Sequence, residues 1–227
     1  MAIIITIDGR QVAFDTGQSI IAAAEAAGID IPHLCWHERL SPAASCRVCL
    51  VRVDGRLVAA CATTAAPDQV IEVQTLELQE LRRDLLRMLF VEGNHFCPVC
   101  EASGACKLQA LAYQCDVLDL GFRQQFPRRE LDASHPEVLL DRDRCILCGL
   151  CVRASHELDK KDVFELAGRG AHTHLIVNSP SGRLGDSVLT KDDAAAAICP
   201  VGALIRRGNA FATPIGQRLH DRAEAAT

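Results

Sequence analysis

Cys145-Ile146-Leu147-Cys148-Gly149-Leu150-Cys151, completed far downstream by Cys199-Pro200, is the stretch on which the reading of the chain turns. Three cysteines at i, i+3 and i+6 can turn their sulfurs onto one side of a cubane. A fourth followed by proline closes the set, which is how [4Fe–4S] clusters are held. A four-cysteine zinc site is the alternative reading, although zinc ribbons use paired C-x2-C knuckles and not a run of three with a remote Cys-Pro.

A run serving two clusters would need a further cysteine four positions after Cys151. Residue 155 is Ser, so the run predicts one cluster. The chain has 227 residues and is 49% hydrophobic, enough for a real core in one or two domains. Twelve cysteines would suggest disulfides in a secreted protein. The start, Met1-Ala-Ile-Ile-Ile-Thr-Ile-Asp8, lacks a basic segment, a long apolar segment and a cleavage site. No apolar run approaches the roughly 18 residues that would span a bilayer. A cytoplasmic protein is therefore expected, in which cysteines so spaced read as metal ligands. The net charge of −5 with interspersed signs leaves no basic stripe for nucleic acid, and 4% aromatics leave few stacking platforms for single strands. No G-x-G-x-x-G fingerprint and no P-loop occurs, so no site for NAD or flavin is evident in this chain.

The first 75 residues predict a β-grasp module. Ile3, Ile5 and Ile7 alternate, Asp8-Gly9 turns the chain into Gln11–Phe14, and Ser19 can cap an alanine-rich helix that runs to Gly28. Strands follow at Leu50–Val53, at Arg56–Cys61 after an Asp54-Gly55 turn, and at Val70–Val73. Around them lie Cys35, Cys46, Cys49 and Cys61, spaced C-x10-C-x2-C-x11-C. The small residues Ser41-Pro-Ala-Ala-Ser45 would let backbone amides approach the sulfurs, and a [2Fe–2S] cluster is the reading. Structural cysteine or zinc is the alternative. The spacing departs from the plant-type C-x4-C-x2-C. His33 and His37, near Cys35, read as packing residues.

Residues 76–92 predict a helix with Leu78, Leu81, Leu85, Met88 and Leu89 on one stripe, ended by Gly93. Then come His95, Cys97, Cys100 and Cys106, three thiolates and an imidazole that could hold a second [4Fe–4S] cluster. A neutral nitrogen in place of a thiolate removes negative charge and favours the reduced state. Cys115 competes for the fourth place, but the stripe Leu108, Leu111, Ala112, Cys115 and Leu118 reads it as a buried helical thiol. The predicted organisation is 1–75 for the [2Fe–2S] domain, 76–120 for a small helical His/Cys domain, 121–140 as a connection, 141–207 for a ferredoxin-like [4Fe–4S] domain, and 208–227 as a polar tail. The fold class is α+β. The tail would be disordered or would dock on a neighbouring subunit.

Four cysteines on a β-grasp, His with three cysteines, and C-x2-C-x2-C with a remote Cys-Pro, in that order, resemble the N-terminal iron–sulfur region of the largest peripheral subunit of respiratory complex I. The arrangement is also similar to the accessory region of [FeFe]-hydrogenases and to the small diaphorase subunit of NAD-reducing [NiFe]-hydrogenases, and the resemblance covers residues 1–207. The short length, with Glu-Gly-Asn-His-Phe-Cys-Pro at 92–98 and Arg-Cys-Ile-Leu-Cys-Gly-Leu-Cys-Val-Arg-Ala-Ser at 144–155, looks most like the diaphorase subunit. In complex I the histidine stands four positions before the first cysteine of its cluster. Here His95 stands two before Cys97 and position 93 is Gly, so Cys115 or solvent stays open as the fourth ligand.

The resemblance implies an electron-transfer subunit of a cytoplasmic enzyme that reduces NAD+ with H2. One [2Fe–2S] and two [4Fe–4S] clusters would sit here, with FMN, NAD and the NiFe centre on partners. Those partners would be an FMN/NAD-binding diaphorase subunit, a small iron–sulfur subunit and a large NiFe subunit. The two C-terminal clusters are expected on the electron path and the [2Fe–2S] site off it. An NAD-dependent formate dehydrogenase, another complex I-like enzyme, or a zinc-bound interaction module are the alternatives.

Overall fold

A computed structural model describes residues 3–208 and 211–221 and separates the chain into two compact units, one ending at Leu86 and one beginning at Arg87. In the first unit the strands β1 (Ile3–Ile7) and β2 (Arg10–Phe14) form a hairpin, followed by helix α1 (Ile20–Ala26), strands β3 (Leu50–Val53) and β4 (Arg56–Ala59), and strand β5 (Val70–Glu72). The sheet order is β2-β1-β5-β3-β4, with β1 and β5 parallel and every other pair antiparallel. Two tight turns make the hairpins. Asp8 and Gly9 take φ of 46° and 80°, and Asp54 and Gly55 take 46° and 83°, the left-handed pair that matches the twist of the flanking strands. Ser19 caps α1 by accepting from the Ala22 amide at 3.4 Å. Alternate residues, among them Ile5, Ile7, Val12, Val51 and Ile71, are buried with Ile20, Ile21 and Ala24 of α1. A helix across a mixed sheet of this order is the β-grasp arrangement.

Helix α2 (Leu76–Glu92) begins in the first unit and ends in the second. Its buried face differs from the predicted stripe. Leu78, Arg82 and Leu86 are fully buried, whereas Met88 is 42% exposed and Leu81, Leu85 and Leu89 are only partly covered. The shift has a physical cause: Arg82 donates to the carbonyls of Val73 at 2.8 Å, Leu50 at 2.8 Å and Val48 at 3.3 Å. A guanidinium with its donors so engaged can be buried, and an apolarity pattern cannot foresee it.

In the second unit, α3 spans Lys107–Gln114, strands β6 (Leu131–Asp132) and β7 (Val138–Asp141) follow, then α4 (Leu150–Glu157), strands β8 (Phe164–Ala167) and β9 (His174–Val177), the short α5 (Ala194–Ala197) and strand β10 (Leu204–Arg206). β7 lies between β10 and β6, antiparallel to both, and β8 pairs with β9. The segment 121–140 is thus more than a connection, because its second half enters the sheet that β10 closes. Buried Asp132 anchors it, accepting from the Leu184 amide at 2.8 Å and from the Ser134 hydroxyl at 2.6 Å.

Ser155 is also buried, and its hydroxyl accepts from the Val163 amide at 2.7 Å. The position that a two-cluster run would give to cysteine is occupied by a structural hydroxyl. Among the described residues, no helix is long and apolar enough to cross a membrane.

Candidate metal centres

The first set gathers in the loop before β3 and just after β4. Cys35, Cys49 and Cys61 are buried and Cys46 is half-buried. Ala44 and Arg47 take left-handed φ of 52° and 60°, and the Cys46 amide reaches the Cys35 sulfur at 3.5 Å. Strained backbone that turns amides onto a sulfur is what an anionic thiolate needs. Hydrogen bonds from Cys46 and then Cys61 hold Cys35 well below the usual thiol range, and a bond from Cys61 lowers Cys49 to about 7. His33 stacks edge-on against Trp36 with ring centroids 5.1 Å apart, and its Nδ1 lies 2.8 Å from the Ile31 carbonyl oxygen. His37 Nδ1 accepts from the Arg39 amide at 3.2 Å.

The second set lines one cavity: His95, Cys97, Cys100 and Cys106, with Phe90 and Arg144 among its walls. A tight turn over Cys97–Val99 carries the first cysteine, and Cys106 stands at the start of α3. Asn94 sets the entry to this loop. Its amide donates to the Asp143 carbonyl at 2.9 Å, and its Nδ2 donates to the Asp143 carboxylate at 3.0 Å and the Pro127 carbonyl at 2.6 Å.

His95 Nε2 is buried without a hydrogen-bond partner. Burial lowers the His95 pKa to about 4, with the Arg144 charge acting the same way and a hydrogen bond to the Leu89 backbone opposing both. A neutral imidazole keeps a lone pair on one ring nitrogen, and Nε2, having no partner, can present it. Such an imidazole with a buried, unpartnered nitrogen, in a cavity that three thiols also line, is a donor set that fits a metal cluster. Burial pushes Cys106 up to about 12 and raises Cys97, so binding of metal must displace their protons.

Cys115 does not line this cavity. It is the half-buried residue that ends α3, whereas the helical stripe predicts a buried thiol within the helix.

The third set, Cys145, Cys148, Cys151 and Cys199, lines a further cavity with Leu166, Leu175 and Val201. Left-handed Leu147 and Gly149, at φ 52° and 67°, wind the chain so that the i, i+3, i+6 cysteines line one cavity. Cys151 is carried by α4 and Cys199 follows α5. Burial raises the pKa of Cys145, Cys151 and Cys199, with charge repulsion from neighbouring cysteines adding to the first two. The surroundings are apolar, which keeps water from such a site.

The second and third cavities are lined by neighbouring residues of the same two segments. Arg144 and Gly202 face the second cavity, and their chain neighbours Cys145, Val201 and Ala203 face the third. A hydrogen bond of 2.8 Å from the Asp141 amide to the Ala203 carbonyl joins the two strands of this wall. Gly202 is required there, since a β-carbon would lie 2.9 Å from the Cys100 sulfur. Sequence reasoning passed over Arg144, Gly202 and the packing role of Gly93; only the closeness of 93 and 144 to the cysteines could have drawn attention to them.

Among the described residues, no three His, Cys, Asp or Glu converge as closely as the ligands of one metal ion. In a cluster no more than two protein ligands share an iron, so the set is spread more widely.

Of the predicted tail, residues 208 and 211–221 are described, and the stretch 211–221 bonds to its own chain. Arg218 donates to the Ser103 carbonyl at 3.1 Å, and the His220 amide donates to Gly104 at 2.8 Å. These residues lie between Cys100 and Cys106. The rest of the predicted tail, 209–210 and 222–227, lies outside the described residues.

Three family models match in chain order: a 2Fe-2S iron-sulfur cluster binding domain at residues 1–76, an NADH-ubiquinone oxidoreductase-G iron-sulfur binding region at 82–119, and a 4Fe-4S single cluster domain at 138–205. The chain is 35% identical to NAD-reducing hydrogenase HoxS subunit gamma of Cupriavidus necator, over 97% of this chain and 94% of that one. It is 32% identical to NADPH-Fe(3+) oxidoreductase subunit alpha of Geobacter sulfurreducens, over 89% of this chain but 24% of the relative. A chain in the crystal structure of an NAD+-reducing [NiFe]-hydrogenase in the H2-reduced state superposes with a TM-score of 0.94 at 48% identity, covering 97% of this chain and 94% of that one.

Proposed function

Because the chain belongs to the family of iron–sulfur subunits that includes the gamma subunit of NAD-reducing hydrogenase, we propose that it carries electrons between a [NiFe]-hydrogenase module and an FMN/NAD-binding diaphorase subunit of a cytoplasmic enzyme. Cys35, Cys46, Cys49 and Cys61 would hold a [2Fe–2S] cluster. His95, Cys97, Cys100 and Cys106 would hold one [4Fe–4S] cluster, and Cys145, Cys148, Cys151 and Cys199 another.

When bound, such clusters change oxidation state by single electrons, so two-electron hydride chemistry belongs to FMN and NAD on a partner. The chain's own residues supply the ligands, exclude water and fix local charge. His95 contributes a neutral nitrogen where a thiolate would add a negative charge. The apolar lining of the third site by Leu166, Leu175 and Val201 keeps its dielectric low.

The observation that carries this reading is the shared wall. Arg144 and Gly202 line one cavity and their chain neighbours Cys145, Val201 and Ala203 line the other, an arrangement suited to passing an electron between clusters held in the two. The hydrogenase reading is preferred over formate oxidation because the chain aligns nearly end to end with a hydrogenase subunit.

Metal analysis of the complex, purified anaerobically from its native host, tests the assignment. Nickel with abundant iron is the expected result. Molybdenum without nickel would move the chain to formate oxidation, and zinc without iron would overturn electron transfer altogether.

A further inference from the structure

Arg144 immediately precedes Cys145 of the third set, yet its guanidinium belongs to the second. Nη1 donates to the Cys100 sulfur at 3.6 Å, to Glu101 Oε2 at 2.6 Å and to the Gly202 carbonyl at 3.5 Å. Nε is held by Asp141 Oδ2 at 2.8 Å, and the side chain is 19% exposed. Two carboxylates and a carbonyl thus aim a fixed positive fork at one ligand sulfur. A lysine, with a single ammonium point, could not satisfy these acceptors together.

We propose that Arg144 sets the reduction potential of the His95/Cys97/Cys100/Cys106 site, making it easier to reduce than its ligands alone would. The inference rests on that site holding a [4Fe–4S] cluster. On reduction one electron enters, no bond breaks and no proton need move, and the added negative charge spreads onto the sulfurs. A hydrogen-bonded cation at a ligand sulfur favours the more negative state, so it raises the potential. Glu101 follows the ligand Cys100 in the chain and opposes this through its own charge while holding the arginine in place. The pair sets the potential between two limits. Since Arg144 lies in the wall between two sites, the same residue adjusts the driving force between them.

The test is an EPR-monitored redox titration of the whole complex, purified anaerobically, carrying wild-type chain, Arg144→Met, Arg144→Lys or Glu101→Gln. Arg144→Met is expected to shift one [4Fe–4S] signal to lower potential, so that at fixed solution potential its reduced-to-oxidised ratio falls on the order of tenfold, 59 mV for a one-electron couple. Arg144→Lys should restore part of the shift, and Glu101→Gln should move the same signal upward. The [2Fe–2S] signal should stay in place.

A change of opposite sign for the two charge removals is not what a merely structural role produces. An Arg144→Met complex with full iron and unmoved potentials would overturn the proposal. If that variant loses iron, Glu101→Gln decides: an upward shift supports the tuning role, and no shift or a downward one overturns it. A wild-type complex without [4Fe–4S] signals would instead overturn the cluster reading beneath it.

Discussion

Gly93 leaves open the space that His95 fills: a β-carbon at position 93 would lie 2.4 Å from His95 Nε2 and 2.9 Å from the Asp143 carbonyl oxygen. The histidine stands two residues before Cys97, and the missing side chain at 93 lets its imidazole turn back into the cavity of the three cysteines. Gly93→Ala should therefore displace the ring. The expected outcome is loss of one cluster's worth of iron per chain, matching His95→Ala, with the [2Fe–2S] spectrum retained. Full iron content and unchanged spectra in His95→Ala would remove His95 as a ligand.

Arg82 donates to the carbonyls of Val48 and Leu50, which flank Cys49, and to Val73. Arg82→Leu keeps the bulk and strands three buried acceptors. At roughly 1 kcal/mol for each lost bond, the first unit should lose about 3 kcal/mol or more. Thermal unfolding followed by loss of [2Fe–2S] colour is the check, with a lower midpoint expected.

Asp132 is buried under strong constraint. Burial works to raise its carboxyl, but hydrogen bonds from the Ser134 hydroxyl and the Leu184 and Ser134 amides outweigh it, so the group titrates below its ordinary value of 3.8. A depressed carboxyl stabilises the fold above that value, and the contribution is lost as pH falls through the lower folded-state pKa. Asp132→Asn should cost on the order of 1–3 kcal/mol at neutral pH. In acid unfolding, the gap between variant and wild type should close below about pH 4.

How much of this was legible before the structure follows from what kind of signal each feature leaves. The β-grasp turns were readable because Asp-Gly between alternating apolar runs has one favoured geometry. The cysteines that line the second and third cavities could be picked out in advance because their spacing is a signal of its own, while their holding of clusters stays a proposal. The buried face of α2 was not, since Arg82 looks polar until its backbone acceptors, 9 to 34 residues away in sequence, are known. The strands β6 and β7 were hidden in a segment interrupted by Pro127 and Pro136, because their pairing with each other and with β10 is set by tertiary contact and not by pattern. Arg144 was invisible as a functional residue because its partners Cys100 and Gly202 come from other loops.

The [2Fe–2S] site is proposed to lie off the path between hydrogenase and flavin. Replacing Cys49 by Ser should then abolish that cluster's EPR signal while H2-driven NAD+ reduction continues at a substantial rate. Loss of the activity in a complex that remains assembled would place the site on the path.

The most direct test of electron carriage by this chain is EPR on the anaerobic complex, frozen after reduction by H2 alone and, separately, by NADH alone. Both reductants are expected to develop the same [4Fe–4S] signals, and Cys199→Ala should erase one of them and stop H2-driven NAD+ reduction. Clusters that stay oxidised under both reductants, or a Cys199→Ala complex that keeps full activity, would contradict a path through this subunit.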